Sequence, residues 1–73
     1  MTNIDEKTER FKRLAEYRTN KVLKRLNVLG NCANRSAYAY TEEEINKIFF
    51  VIDKKAKEIK SKFHFKKEKE FKL

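Results

Sequence analysis

Residues 40–63 read YTEEEINKIFFVIDKKAKEIKSKF, and this stretch decides the fold class. Thr41 and Glu44 have the T-x-x-E spacing of a capping box, in which each side chain bonds the backbone N–H of the other residue. Tyr40 and Ile45 occupy the two positions of a hydrophobic staple around that box. The stretch therefore predicts a helix over about residues 41–63.

Apolar residues recur at steps of three and four through both halves of the chain, which is the period of an amphipathic helix. The stripe of the second helix is formed by Ile45, Ile48, Phe49, Ile52, Ala56, Ile59 and Phe63. The stripe of the first half is formed by Phe11, Leu14, Ala15, Val22, Leu26 and Leu29. A first helix over about residues 5–29 would begin with acidic Asp5 and Glu6, and Gly30 would follow it at the C′ position.

The two stripes predict an all-α protein, an antiparallel two-helix hairpin that forms a single domain over residues 1–73. Its loop, residues 30–40, exceeds the two to five residues usually found between antiparallel helices. Asn31, Asn34 and Ser36 can bond local backbone groups, and Tyr38 can pack its ring while its hydroxyl reaches water. The loop either caps the core of the hairpin or recognises a partner.

Chain length argues for self-association, because a 73-residue domain buries little surface when it folds alone. One cysteine, Cys32, cannot form an internal disulfide, and with His64 it cannot complete a four-ligand zinc site. Phe50 and Leu23 fall outside the two stripes and would face water in a lone hairpin. We therefore expect a homodimer in which two hairpins form a helical bundle.

The composition indicates a folded chain, and its basic excess favours a nucleic-acid partner. The net charge is +8, yet 40% of the residues are hydrophobic, which is enough to fold. The excess lies mainly on the first helix, where four cations flank the apolar stripe: Arg13, Lys21, Lys24 and Arg25. Such clustering is the electrostatic footprint of phosphate binding, although lysine-rich surfaces also serve solubility. DNA, RNA and a nucleoprotein stay open as targets.

The remaining candidate contacts lie in the loop and on the second helix. Arg35 is a further candidate for phosphate, while Asn31, Asn34 and Tyr38 would orient the complex. Phe50 is a candidate anchor for a protein partner. Arg18 interrupts the first stripe, where it either forms a structural ion pair or meets a bound anion. The basic tail, residues 64–73, is either a nucleic-acid arm or a solvated extension.

Catalysis is not expected, because the chain has no phosphate-binding glycine loop and no H-E-x-x-H motif. We expect no cofactor, no metal and no small-molecule substrate. Cys32 is read as a small buried residue or, alternatively, an exposed thiol, and His64 as a surface residue. The first ten residues lack the apolar segment of a signal peptide, and no apolar run approaches the length of a membrane span. The expected location is the cytoplasm, without membrane contact.

Several short motifs between Phe11 and Phe63 resemble a family of small uncharacterised bacterial proteins that phages and other mobile elements often encode. They are R-x-N at residues 18–20, L-G-N-x-x-N-R at 29–35, Y-x-Y-T at 38–41 and I-F at 48–49. The resemblance implies a mobile-element setting and no settled activity. Small basic helical proteins of such elements commonly regulate DNA or inhibit a host defence complex, as anti-CRISPR proteins do. The alternatives are therefore a nucleic-acid binder, a protein-directed inhibitor and a purely structural homo-oligomer.

Overall fold

The computed structural model describes residues 3–65 and residue 73, and in this part of the chain all regular structure is helical. Helix α1 covers Asn3–Gly30, a short 3-10 helix covers Asn31–Ala33, and helix α2 covers Glu42–Lys60. The prediction of an all-α chain with two long helices is confirmed. The chain divides into two units, Met1–Ala39 and Tyr40–Leu73. The predicted basic tail lies largely outside the described residues.

The start of α2 is the capping box predicted from the sequence. Thr41 has extended backbone angles, and its hydroxyl oxygen accepts a bond from the Glu44 N–H at 3.1 Å. The Glu44 carboxylate accepts a bond from the Thr41 N–H at 2.9 Å. Two backbone donors that the helix cannot satisfy internally are thereby paired. Tyr40 and Ile45 are only partly exposed, as a hydrophobic staple requires.

Removing the cap should weaken α2. We expect Thr41→Ala to lower the free energy of unfolding by about 1 kcal/mol, because it leaves the Glu44 N–H without its partner. Urea unfolding followed by circular dichroism measures the change. Thr41→Ser keeps the oxygen and should stay within a few tenths of a kcal/mol of the parent protein. An Ala variant as stable as the Ser variant would mean that the box contributes nothing.

The end of α2 differs from the prediction, because the helix stops at Lys60 and not at Phe63. The Ser61 hydroxyl donates to the Glu58 carbonyl at 2.6 Å. An α-helix would use that carbonyl for the Lys62 N–H, which instead bonds the Ile59 carbonyl at 3.0 Å. The chain therefore tightens into an i to i+3 turn, and Phe63 lies beyond the helix.

Helix α1 has 28 residues, which corresponds to about 42 Å, and it begins two residues before the predicted start. Its end corrects the prediction for Gly30, which is the last helical residue rather than a left-handed C′ glycine. Gly30 has φ −59° and ψ −24°, and the chain continues directly into the 3-10 helix. A Cβ at this position would meet no atom within 4 Å. Neither backbone angle nor space therefore requires glycine here.

A compact turn follows the 3-10 helix. The Asn34 side-chain oxygen accepts a bond from the Ser36 N–H at 3.0 Å. The Asn34 carbonyl accepts bonds from the N–H groups of Ala37 at 3.1 Å and Tyr38 at 2.9 Å. The prediction that loop side chains bond local backbone is confirmed for Asn34, whose side chain closes an Asx turn.

None of the side chains that the structure describes is buried. The six partly exposed ones are Leu14, Ala15, Leu29, Tyr40, Ile45 and Ile52. All belong to the predicted stripes or the staple, whereas the other eight stripe residues are exposed. Each unit contains one α-helix, and a single helix cannot enclose a side chain. Each helix therefore presents an apolar stripe that it cannot cover by itself.

Candidate nucleic-acid interface

Three of the predicted phosphate-binding residues lie together on α1. Lys21, Lys24 and Arg25 follow at steps of three and one, so they share one side of the helix. With Val28 they line one shallow depression. All three side chains are exposed, and none of them forms an ion pair with a described residue. Their charges are therefore available to an anionic ligand.

Tyr17 lies beside these cations, one turn before Lys21. The Lys21 ammonium nitrogen is 4.8 Å from the centroid of the Tyr17 ring, within the range of a cation–π contact. Tyr17 is 58% exposed. We call the surface formed by Arg13, Tyr17, Lys21, Lys24, Arg25 and Val28 the α1 basic patch.

Arg13 lies at the edge of the patch, where the surroundings become acidic. It lines one depression with Tyr17, Glu9 and Glu16, and a second one with Asp5 and Glu6. Carboxylates this close lower the positive potential around Arg13. The patch is therefore most strongly cationic at its Lys21 end.

The charge pattern at that end extends well beyond the patch. No acidic residue occurs between Glu16 and Glu42, whereas five cations do: Arg18, Lys21, Lys24, Arg25 and Arg35. We call residues 17–41 the acid-free segment. The absence of acidic residues is visible in the sequence. It could have identified Tyr17 as part of the candidate interface, which a search for cations alone omits. The segment covers the second half of α1 and the loop.

The predicted loop contacts Asn31, Asn34, Arg35 and Tyr38 belong to the same unit as the patch and are exposed. Asn34 is partly committed to its turn, because its side-chain oxygen bonds the Ser36 N–H. Its amide nitrogen donors would be the part that a ligand meets. Tyr38 is 54% exposed.

Phe50 belongs to the other unit and lies away from the apolar stripe of α2. It is 67% exposed and lines a depression with Val51, Glu43 and Lys47. The last two form an ion pair with 3.6 Å between the Lys47 nitrogen and the Glu43 oxygen. Charges on this side of α2 are thus partly paired, in contrast to the α1 basic patch.

Three further residues discussed in the sequence analysis, Arg18, Cys32 and His64, are exposed. Arg18 is exposed within the α1 stripe and forms no ion pair with a described residue. Cys32 is an exposed free thiol, which corrects the reading of a small buried residue. It follows α1 in the 3-10 helix, where nothing in its unit covers it. His64 is exposed, as expected.

Within residues 3–65, no three His, Cys, Asp or Glu side chains are grouped closely enough to hold a metal ion. No helix in the same part of the chain combines the length and the apolar character needed to cross a membrane.

No protein-family model, curated protein or solved structure matches the chain. The geometry of the exposed surfaces is therefore the basis for assigning a function.

Proposed function

We propose that this protein is a small, basic, non-enzymatic helical protein that binds nucleic acid or a nucleoprotein complex in the cytoplasm. The observation that supports the proposal most directly is the α1 basic patch. Its Lys21, Lys24 and Arg25 side chains are exposed, share one side of a helix and lack ion-pair partners among the described residues. A mobile-element setting, suggested by the sequence motifs, fits this activity.

The physical basis of binding is counterion release. Each cation that neutralises a phosphate frees condensed ions, and this gain does not depend on base sequence. Arg13 and Arg35 would add contacts at the edge of the patch and in the loop. Asn31, Asn34 and Tyr38 carry hydrogen-bonding groups and a ring that can orient the ligand. Binding in this manner needs neither a metal nor a cofactor.

The proposal predicts a steep salt dependence. If Arg13, Lys21, Lys24 and Arg25 each contact one phosphate, raising salt from about 50 to about 200 mM should weaken binding by about 50- to 150-fold. Fluorescence anisotropy with labelled duplex DNA, single-stranded DNA and RNA measures this loss. An uncharged dye-labelled polymer serves as the control for nonspecific adsorption. Absence of binding to all three nucleic acids at the lower salt concentration would reject the proposal.

For the architecture, we propose that the apolar stripes of α1 and α2 pack as an antiparallel hairpin and that hairpins associate into a homodimeric bundle. The exposed stripe residues support this proposal, for example Phe11 at 57%, Val22 at 59% and Phe49 at 46%. Burying such stripes contributes about 25 cal/mol per Å² of apolar surface, and each helix lacks that stabilisation by itself. The bundle would leave Tyr17, Lys21 and Lys24 on the flank of the stripe facing solvent, with Arg25 at the edge of the packed face.

A second candidate function is a protein-directed inhibitor of a host defence complex, comparable to an anti-CRISPR protein. It is favoured by Phe50 at 67% and Val51 at 59% exposure, an apolar pair on the polar side of α2. Large apolar side chains bordered by polar groups are typical anchors for a protein partner. In that case substitutions at Phe50 and Tyr38 would reduce inhibition more than charge reversals on α1. A purely structural oligomer would instead assemble with concentration and show neither activity.

A further inference from the structure

The placement of Tyr17 indicates which form of nucleic acid the α1 basic patch accepts. Its ring is in contact with Lys21 and one turn from Arg13, and 58% of the residue is exposed. Tyr17 falls outside the apolar stripe of α1, so the helical packing proposed above does not require it. A large aromatic ring kept in water among cations is suited to a ligand that presents both phosphate and a flat apolar surface.

We infer that the α1 basic patch binds single-stranded nucleic acid, with an unpaired base stacked on Tyr17. This inference rests on the proposed nucleic-acid function and narrows its ligand. Proteins that bind single strands combine a cationic track for the backbone with aromatic rings for the bases, and every base offers a face for stacking. In a duplex the bases are stacked on one another, so a ring on a helix surface gains nothing from them. Tyr17 therefore favours single strands, whereas the cations serve both forms.

The geometry fits this arrangement in two respects. Lys21 approaches the ring at 4.8 Å from its centroid, which restricts the orientation of Tyr17 before a base arrives. Lys24 and Arg25 continue the cationic surface one turn further, where Val28 adds an apolar contact. The acid-free segment also contains Tyr38, 54% exposed, as a second ring for a base farther along the strand.

The test compares Tyr17→Leu with the parent protein on two probes, a labelled oligothymidylate of about 20 nucleotides and a duplex of equal length. Oligouridylate is a third arm that distinguishes RNA from DNA. We expect the parent to prefer the single strand and the Leu variant to lose about 5- to 100-fold in affinity for it. Duplex affinity should fall much less than single-strand affinity, and the helical circular dichroism signal should not change. Tyr17→Phe keeps the ring and should retain single-strand binding.

A spectroscopic measurement tests the same assignment. The chain has three tyrosines and no tryptophan, so tyrosine emission can be recorded directly. Oligothymidylate should quench the parent protein more than Tyr17→Phe, because the variant lacks the Tyr17 emission that a stacked base removes. Equal losses of affinity for both probes, or no loss with Tyr17→Leu, would overturn the inference and leave the proposed function intact. Failure of the parent to bind either probe would instead refute the proposed function.

Discussion

Reversing the charge of Lys21, Lys24 and Arg25 to glutamate is expected to abolish nucleic-acid binding at about 50 mM salt. The substitution removes three phosphate contacts and places three carboxylates where the ligand backbone would lie. Any residual binding should show a salt slope lower by about two to three units, since each contact contributes about 0.7 to 0.9. Anisotropy titrations at several salt concentrations measure both quantities.

The matched control reverses Lys7, Lys54 and Lys57, none of which lines a depression with a residue of the α1 basic patch. Net charge falls by the same amount in both triple variants, so a difference between them reports position rather than total charge. The control should lose little affinity, and circular dichroism should show retained helix in both proteins because glutamate is a good helix former. Equal losses in the two variants would mean that binding depends on overall charge and that the patch has no special role.

The second large effect is expected at two neighbouring phenylalanines of α2 that lie about 100° apart around the helix axis. Phe49 lies in the apolar stripe, and Phe50 lies away from it. If the stripes pack as proposed, Phe49→Ser should lower the free energy of unfolding by about 3 kcal/mol, the usual cost of deleting a packed aromatic ring. Urea unfolding at fixed protein concentration measures this loss.

Phe50→Ser has the same composition and serves as the comparison. It should leave the hairpin folded and shift the dimer towards monomer, because Phe50 would contact a second copy in the bundle. Analytical ultracentrifugation over a range of concentrations measures that shift. A Phe50→Ser protein that stays dimeric would place the dimer interface elsewhere, and equal destabilisation by both variants would contradict the assignment of the stripe as the packing face.

Only part of the candidate site could be predicted from the sequence. The cations Lys21, Lys24 and Arg25 could be assigned to one side of α1 from their spacing alone, because a helix brings residues three and four apart together. The contact between Lys21 and the Tyr17 ring required coordinates, since it depends on the rotamers of two long side chains. The carboxylates near Arg13 could also be predicted from spacing, because Glu9 precedes it by four residues and Glu16 follows it by three.

The amino-acid sequence by itself determined the start of α2 and the helical class of the described chain. These features depend on neighbours within about one turn, such as Thr41 and Glu44, so the local pattern contains all the necessary information. The structure was needed to locate the end of α2, where the Ser61 hydroxyl donates a hydrogen bond to the Glu58 carbonyl. It was also needed for the helical conformation of Gly30 and for the exposure of Cys32. At each of these sites the sequence allows more than one local hydrogen bond or degree of exposure. The hydrophobic period does not choose between them, because it indicates only the side of the helix on which a residue lies.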